Sequence, residues 1–394
     1  MRRLGLFILL FMAGCGIFKH EPRELTEEEK ELSSASVNFA FNIVQQLSSL
    51  RPDSNLIISP LSIHLALGMT WNGSAGATDS AMREVLGFEE MERNEILNAY
   101  QGLMDILSGI DDKVASEIAN SIWYREGFPV KDSFLNESEE YFNAEVHALD
   151  FSSPDAPDII NNWVKEKTHG KIEKIIDGIP GDVVMYLINA IYFRGTWKYE
   201  FDEEKTEPDT FYLEDGTRIM CDMMEGGGVF RWLFKDEFSA VELPYGDGWF
   251  RMVVFLPQDI DSFITRLTPE NWNEWLSEFE EDSGVVRMPK FELEYEDSLA
   301  EVLIQMGMGI AFSPYANFSR MSNASLYIDQ VLHKTYVKVN EEGTEAAAVT
   351  AVMMCTSVGS GAHLLLEINR PFVFVIYESH TGTIWFVGRI MKPE

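Results

Sequence analysis

The sequence predicts an α+β fold, helical in its N-terminal half, with large antiparallel or mixed β-sheets behind it. Two patterns carry this. Apolar residues recur at helical spacing between about residues 27 and 109. From residue 183 onward, β-branched and aromatic runs follow one another at irregular spacing. No internal repeat and no linker follow residue 32, so residues 33–394 are expected to form one domain, large enough to bury a sizeable core.

The first segment reads as a processing signal. Arg2 and Arg3 precede an apolar stretch, Leu4 to Ala13, that is too short to span a bilayer but suits a secretory signal. Met12-Ala13-Gly14-Cys15 resembles a bacterial lipoprotein cleavage box, in which Cys15 becomes the lipidated first residue; Met12 stands where leucine is usual. Residues 1–14 are then a signal peptide, and residues 15–32 a lipidated cysteine with an acidic tether, spanning on the order of 55 Å when extended. The expected location is outside the cytoplasm, anchored by lipid to a bacterial membrane. Plain secretion, with Cys15 incidental, is the alternative.

Composition excludes several classes of partner. A formal charge of −33, from 64 acids against 31 bases, leaves nothing to offset phosphate repulsion, so nucleic acid is excluded and heparin-like polyanions are disfavoured. Three cysteines, of which Cys221 and Cys355 would remain after processing, make no disulfide framework. The seven histidines show no metal-ligand spacing, and neither a nucleophile elbow nor a phosphate-cradling loop is present, so no enzyme, metal or cofactor is expected.

Within the helical half, Ile96, Tyr100, Leu103 and Leu107 fall on one helix face, and Thr78 stands before Met82, Val85 and Leu86 as an N-cap would. Strands are expected at Val183–Phe193, Phe238–Tyr245, Phe250–Leu256, Val285–Tyr295, Leu364–Ile368, Phe372–Tyr377 and Thr383–Ile390, with a helix around Leu299–Met306. Between that helix and the strand at Leu364 lies the most informative segment. In Glu341-Glu342-Gly343-Thr344-Glu345-Ala346-Ala347-Ala348-Val349-Thr350, the residues Thr344, Ala346, Ala348 and Thr350 share one face of a period-two strand, and all are small. The segment then runs into Gly359-Ser360-Gly361, typical of an exposed loop. A loop that can also become a strand is the mark of a switch.

Taken together, these motifs resemble the serpin family, and the resemblance covers about residues 33–394. It is carried by the Glu341–Ala348 hinge, Asn55-Leu-Ile-Ile-Ser59-Pro60-Leu-Ser62-Ile63, Asn189-Ala-Ile-Tyr-Phe193-Arg-Gly195-Thr-Trp197, Met288-Pro289-Lys-Phe291, His333-Lys334 and Pro371-Phe372-Val-Phe374. It implies the serpin fold, with an exposed reactive loop at about residues 343–362. It also implies a monomeric, irreversible suicide-substrate inhibitor of serine proteases that traps the acyl-enzyme as the cut loop enters the main sheet. By the same resemblance Ser59, Ser62, Asn189 and His333 match the polar shutter beneath that sheet, and Trp197 matches the point where the loop first enters. Family spacing places the reactive bond between Ser357 and Val358, with Thr356 and Cys355 as fallbacks.

Specificity follows from composition. Between Thr344 and Glu367 there is no lysine or arginine, so a trypsin-like pocket has nothing to pair with, and an elastase-like or subtilisin-like protease is expected instead. A cysteine protease is an alternative target. A non-inhibitory member acting as a binding or chaperone-like protein is the other alternative; such members usually carry bulky or charged hinge residues.

Overall fold

In chain order, the first half forms helix α1 (Glu27–Leu50), strand β1 (Leu56–Ile58), α2 (Pro60–Asn72), α3 (Gly76–Leu86), α4 (Arg93–Leu107), β2 (Val114–Arg125), α5 (Asp132–Phe142), β3 (Ala144–Leu149), α6 (Ala156–Lys167) and β4 (Met185–Thr196). There follow β5 (Asp202–Tyr212), β6 (Arg218–Phe234), β7 (Phe238–Pro244), β8 (Phe250–Pro257), α7 (Ile260–Thr265), α8 (Pro269–Glu278), β9 (Glu280–Pro289) and β10 (Phe291–Ser298). The chain closes with α9 (Ala300–Gln305), β11 (Leu332–Val339), β12 (Gly343–Thr344), β13 (Leu364–Glu367), β14 (Phe372–Glu378) and β15 (Ile384–Ile390). The structure is a computed structural model and describes residues 22–88, 90–344 and 364–393. Cys15 and the loop segment 345–363, with Glu345, Ala346, Ala347, Ala348, Val349, Thr350, Cys355, Thr356, Ser357 and Val358, lie outside the described residues.

The strands make two mixed sheets. One runs β1-β15-β14-β8-β7-β6-β9-β13, with β5 also on β6; the other runs β10-β11-β12-β4-β2-β3. Pairing is antiparallel except at β2–β3 and β13–β9. The predicted α+β class holds, although strands begin earlier than the sequence pattern indicates: β2 is a central strand, paired with β4 from Val114↔Gly195 to Tyr124↔Met185. Helices also recur late, at α7 and α8, between β8 and β9.

Local chemistry explains where the first helices start. Thr26 accepts from the Glu29 backbone N–H while the Glu29 carboxylate accepts from the Thr26 N–H, a reciprocal cap. Glu27, Glu28 and Glu29 in the first turn also complement the helix dipole. The acidic tether expected to reach residue 32 therefore stops short of residue 27. Glu29 is buried against Arg23, and Leu32 opens the buried stripe that continues through Phe39, Ile43 and Leu47. Each such side chain contributes about 1.5–3 kcal/mol on leaving water. Thr78 likewise departs from expectation: it lies inside α3, whose N-cap is Ala75, and its buried hydroxyl accepts from the Asn317 N–H.

The expected strand Val285–Tyr295 is two strands. β9 ends at Pro289 in the larger sheet and β10 begins at Phe291 in the smaller one, so Lys290 sits at the break between sheets. Most buried apolar residues of both sheets and of α1–α4 join one core. A second, separate core of Trp123, Phe151, Ile160, Trp163, Val164, Ile172, Ile176, Ile188 and Ala190 holds α6 and the chain after it against one face of β2 and β4.

Candidate functional site

Gly343 and Thr344, the described end of the expected hinge, form a two-residue strand in the middle of the smaller sheet. Asn340–Gly343 make a tight turn, closed by the Asn340 N–H to the Gly343 carbonyl at 2.9 Å and by the Gly343 N–H to Asn340 Oδ1 at 3.1 Å. Thr344 then pairs with Val339 of β11 on one side and Gly195 of β4 on the other, and is buried. Below this pair of residues, β4 and β11 have no ladder partner on their facing edges among the described residues. The sheet is thus joined at its top by two residues and parted beneath.

Close approach, more than bending freedom, demands the glycines here. A Cβ on Gly343 would collide with the Gly195 carbonyl oxygen, and a Cβ on Gly195 would lie 2.8 Å from the Tyr245 ring. Tyr245, fully buried, stacks on Trp197 at 4.3 Å between centroids, and its hydroxyl meets Thr344 Oγ1 at 2.6 Å. Trp197 donates its indole N–H to the Asn340 carbonyl at 2.9 Å and its backbone N–H to the Glu342 carbonyl at 2.8 Å. The surroundings of Thr344 are therefore a satisfied polar pocket shaped around a small hydroxylated side chain.

Glu341 anchors the same turn. Its backbone carbonyl accepts from the Phe201 N–H, Lys290 Nζ lies 2.9 Å from Oε2, and the Thr206 hydroxyl donates to Oε1 at 2.9 Å. Burial raises the pKa of this carboxyl, but the Lys290 ammonium, its own backbone N–H and Thr206 together outweigh burial, and the net shift is downward. Removing one partner of such a pair leaves the other uncompensated. Glu341→Lys should therefore cost about 2–3 kcal/mol, below the usual value for a fully buried pair because Lys290 is partly exposed. A urea denaturation midpoint measures this, and Glu341→Gln should lose less.

The residues matched to the shutter are only partly in contact. Ser59 caps α2, its hydroxyl accepting from the Ser62 N–H at 3.4 Å, and donates its own backbone N–H to His333 Nε2 at 3.1 Å. Asn189 turns the other way and donates to Asn120 Oδ1 at 2.8 Å, while Asn120 donates to the Phe142 carbonyl at 2.7 Å. All four matched residues line one cavity of about 480 Å³ between β4 and β11. Asn120, Tyr245 and Lys290 were not singled out from the sequence; their partners lie 51 to 99 positions away, so no local pattern marks them.

Burial holds two imidazoles neutral: His333 falls from about 6.5 to about 3, and His64, bonded to Leu86 and Tyr100, falls to about 4. The unfolded chain takes up these protons near pH 6.5. Stability is therefore full above pH 6.5 and is lost as pH falls through 6.5 toward these lower values. Each histidine should cost about 2–3 kcal/mol by pH 4.5. His333→Gln should flatten the pH dependence of the urea midpoint between pH 6.5 and 4.5 by one proton's worth.

The family model described as Serpin (serine protease inhibitor) matches residues 34–393. Human neuroserpin is 31% identical over 414 residues, covering 100% of this chain and 97% of the relative. A thermophilic serpin, tengpin, in its native state superposes with a TM-score of 0.83 at 29% identity, over 94% of this chain and 96% of that one. Human thyroxine-binding globulin in complex with its ligand gives a TM-score of 0.85 at 27% identity, over 93% of this chain and 99% of that one.

Proposed function

Since the chain belongs to the serpin family, whose fold is that of protease inhibitors, we propose that it is an irreversible, suicide-substrate inhibitor of a serine protease. The observation that carries this is the parted sheet: Gly343 and Thr344 occupy the top of a gap that, among the described residues, continues downward between β4 and β11. An unfilled position between two strands leaves backbone donors and acceptors to be paired, and a strand of small alternating residues fills it without clash. Thr344, Ala346, Ala348 and Thr350 are such residues.

The chemistry follows. The protease serine Oγ attacks the Ser357 carbonyl, the bond to Val358 breaks, the new amine at Val358 departs, and an ester joins Ser357 to the enzyme. Thirteen residues separate Thr344 from Ser357, so a full insertion carries the ester about 44 Å along the sheet. Hydrolysis is prevented if the movement distorts the enzyme before water attacks. Ser357–Val358 favours a protease that accepts small or medium apolar residues. Cys15 supplies lipid anchorage outside the cytoplasm, supported by the Met12–Cys15 box.

Incubation with trypsin-, elastase-, subtilisin- and papain-type proteases tests the reading. An SDS-stable complex with an elastase- or subtilisin-type enzyme, with the cut mapped to Ser357–Val358 by mass spectrometry, is expected. The likeness to thyroxine-binding globulin favours a second reading, a binding protein that does not inhibit. Clean cleavage by every enzyme, with no complex, would establish that one.

A further inference from the structure

The cavity between β4 and β11 has chemistry that a peptide strand alone does not require. Its walls are apolar on both sides of the sheet: Ile63 and Leu67 of α2 behind, Ile172, Ile175 and Ile176 of the covering chain in front, and Ile328 at one side. Its volume, about 480 Å³, lies in the range of small-molecule pockets. Among the polar groups on these walls, two hydrogen-bond donors have no acceptor among the described residues.

His333 is the first. The Ser59 N–H can donate only to a bare ring nitrogen, so Nε2 is unprotonated and the neutral imidazole carries its proton on Nδ1. His333 is 95% buried by its 5% exposure, lines the cavity, and has no acceptor for that Nδ1–H among the described residues. Ser62 is the second: 8% exposed and lining the same cavity, its hydroxyl has no partner among the described residues. Both donors line the cavity with no protein acceptor among the described residues, so an oxygen supplied by a ligand is favoured there. The rim selects for charge. Asp177, Asp182 and Asp329 are exposed and line the cavity, and Lys334, which also lines it, is paired with Glu294 and Glu296, so the charge there disfavours an anionic head group.

We propose that this cavity is a binding site for a neutral, single-tailed amphiphile, whose hydroxyl or ester oxygen accepts from His333 and Ser62 while its tail lies between Leu67 and Ile175. Occupancy and loop insertion exclude each other, because both need the gap between β4 and β11. The regulatory part rests on the inhibitory reading above: a filled cavity delays insertion, so more loops are hydrolysed and released before the protease is trapped.

The probe is 1-octanol, with octanoate as its charged counterpart at pH 7. Octanol should raise the melting temperature of the intact protein saturably by several degrees, as a ligand of the folded state must. Octanoate should do so at no less than tenfold higher concentration. Protein cleaved in its loop, with the gap filled, should not respond. Ile175→Trp, which fills the cavity without touching the polar groups, should abolish the shift while circular dichroism stays native, and Ser62→Ala should weaken binding several-fold. Octanol should also raise the number of inhibitor molecules consumed per protease trapped. An undiminished shift in Ile175→Trp, equal affinity for octanoate, or no shift at all would each overturn the site, and an equal shift in a cleaved form that has itself gained thermal stability would overturn the mutual exclusion with insertion. A response only to a peptide copying residues 344–350 would overturn the site too. If the ligand-free protein traps no protease, the inhibitory reading fails while the melting series still decides the site.

Discussion

Thr344→Arg should convert the protein from an inhibitor into a substrate, with the SDS-stable protease complex falling at least about a hundredfold while loop cleavage continues. Thr344 is 3% exposed, its hydroxyl is 2.6 Å from the Tyr245 hydroxyl, and it is flanked by Val339 and Gly195. An arginine there must either drag a charge into that buried pocket or keep the hinge out of the sheet. The first costs several kcal/mol and the second is therefore preferred. A delay of insertion by about 3 kcal/mol of barrier is a hundredfold in rate, which lets deacylation win. The measurement is a gel of complex against cleaved product over a range of inhibitor-to-protease ratios. An undiminished yield of complex would show that this position does not control entry.

Cleavage of the loop should raise the melting temperature by at least about 10 °C. Each kilocalorie gained shifts the midpoint by about 2 °C in a chain of this size or somewhat smaller, and a paired strand with half its side chains buried supplies several. The gain has a structural source in the facing edges of β4 and β11, which have no ladder partner below Thr344 among the described residues. Nicking the intact protein with a broad protease and scanning both forms by calorimetry measures it. An unchanged midpoint would mean that the cut segment stays outside the sheet, as the binding-protein reading requires.

The elements legible in the sequence are those whose burial follows a simple period. Phe372–Glu378 and Ile384–Ile390 are buried at every position, and their apolar runs mark them as strands directly. β5 was not legible: Asp202–Tyr212 is charged and exposed along most of its length and is held by pairing with β6 rather than by an apolar face. β11 was hidden differently. Its inward positions alternate correctly, but His333 and Thr335 take two of them, with Thr335 donating to the Ile57 carbonyl at 2.6 Å. Polar groups satisfied by distant partners erase the hydrophobic signal where the site is built. Gly343 and Thr344 stood out in the sequence because small residues at period two follow a glycine; their neighbours Lys290 and Tyr245 did not, since each acts through a partner distant in sequence.

The separate small core beneath α6 has a consequence for how the molecule opens. Asn161 ties Ile175 and Ile176 to the helix through three hydrogen bonds, and the whole unit rests on its own apolar cluster rather than on the main one. Such a unit behaves as an independent foldon, able to detach sub-globally at less cost than global unfolding. Amide protons of residues 156–183 should accordingly exchange with deuterium earlier than those of β14 and β15, so that the trapdoor lifts while the frame around it stays folded.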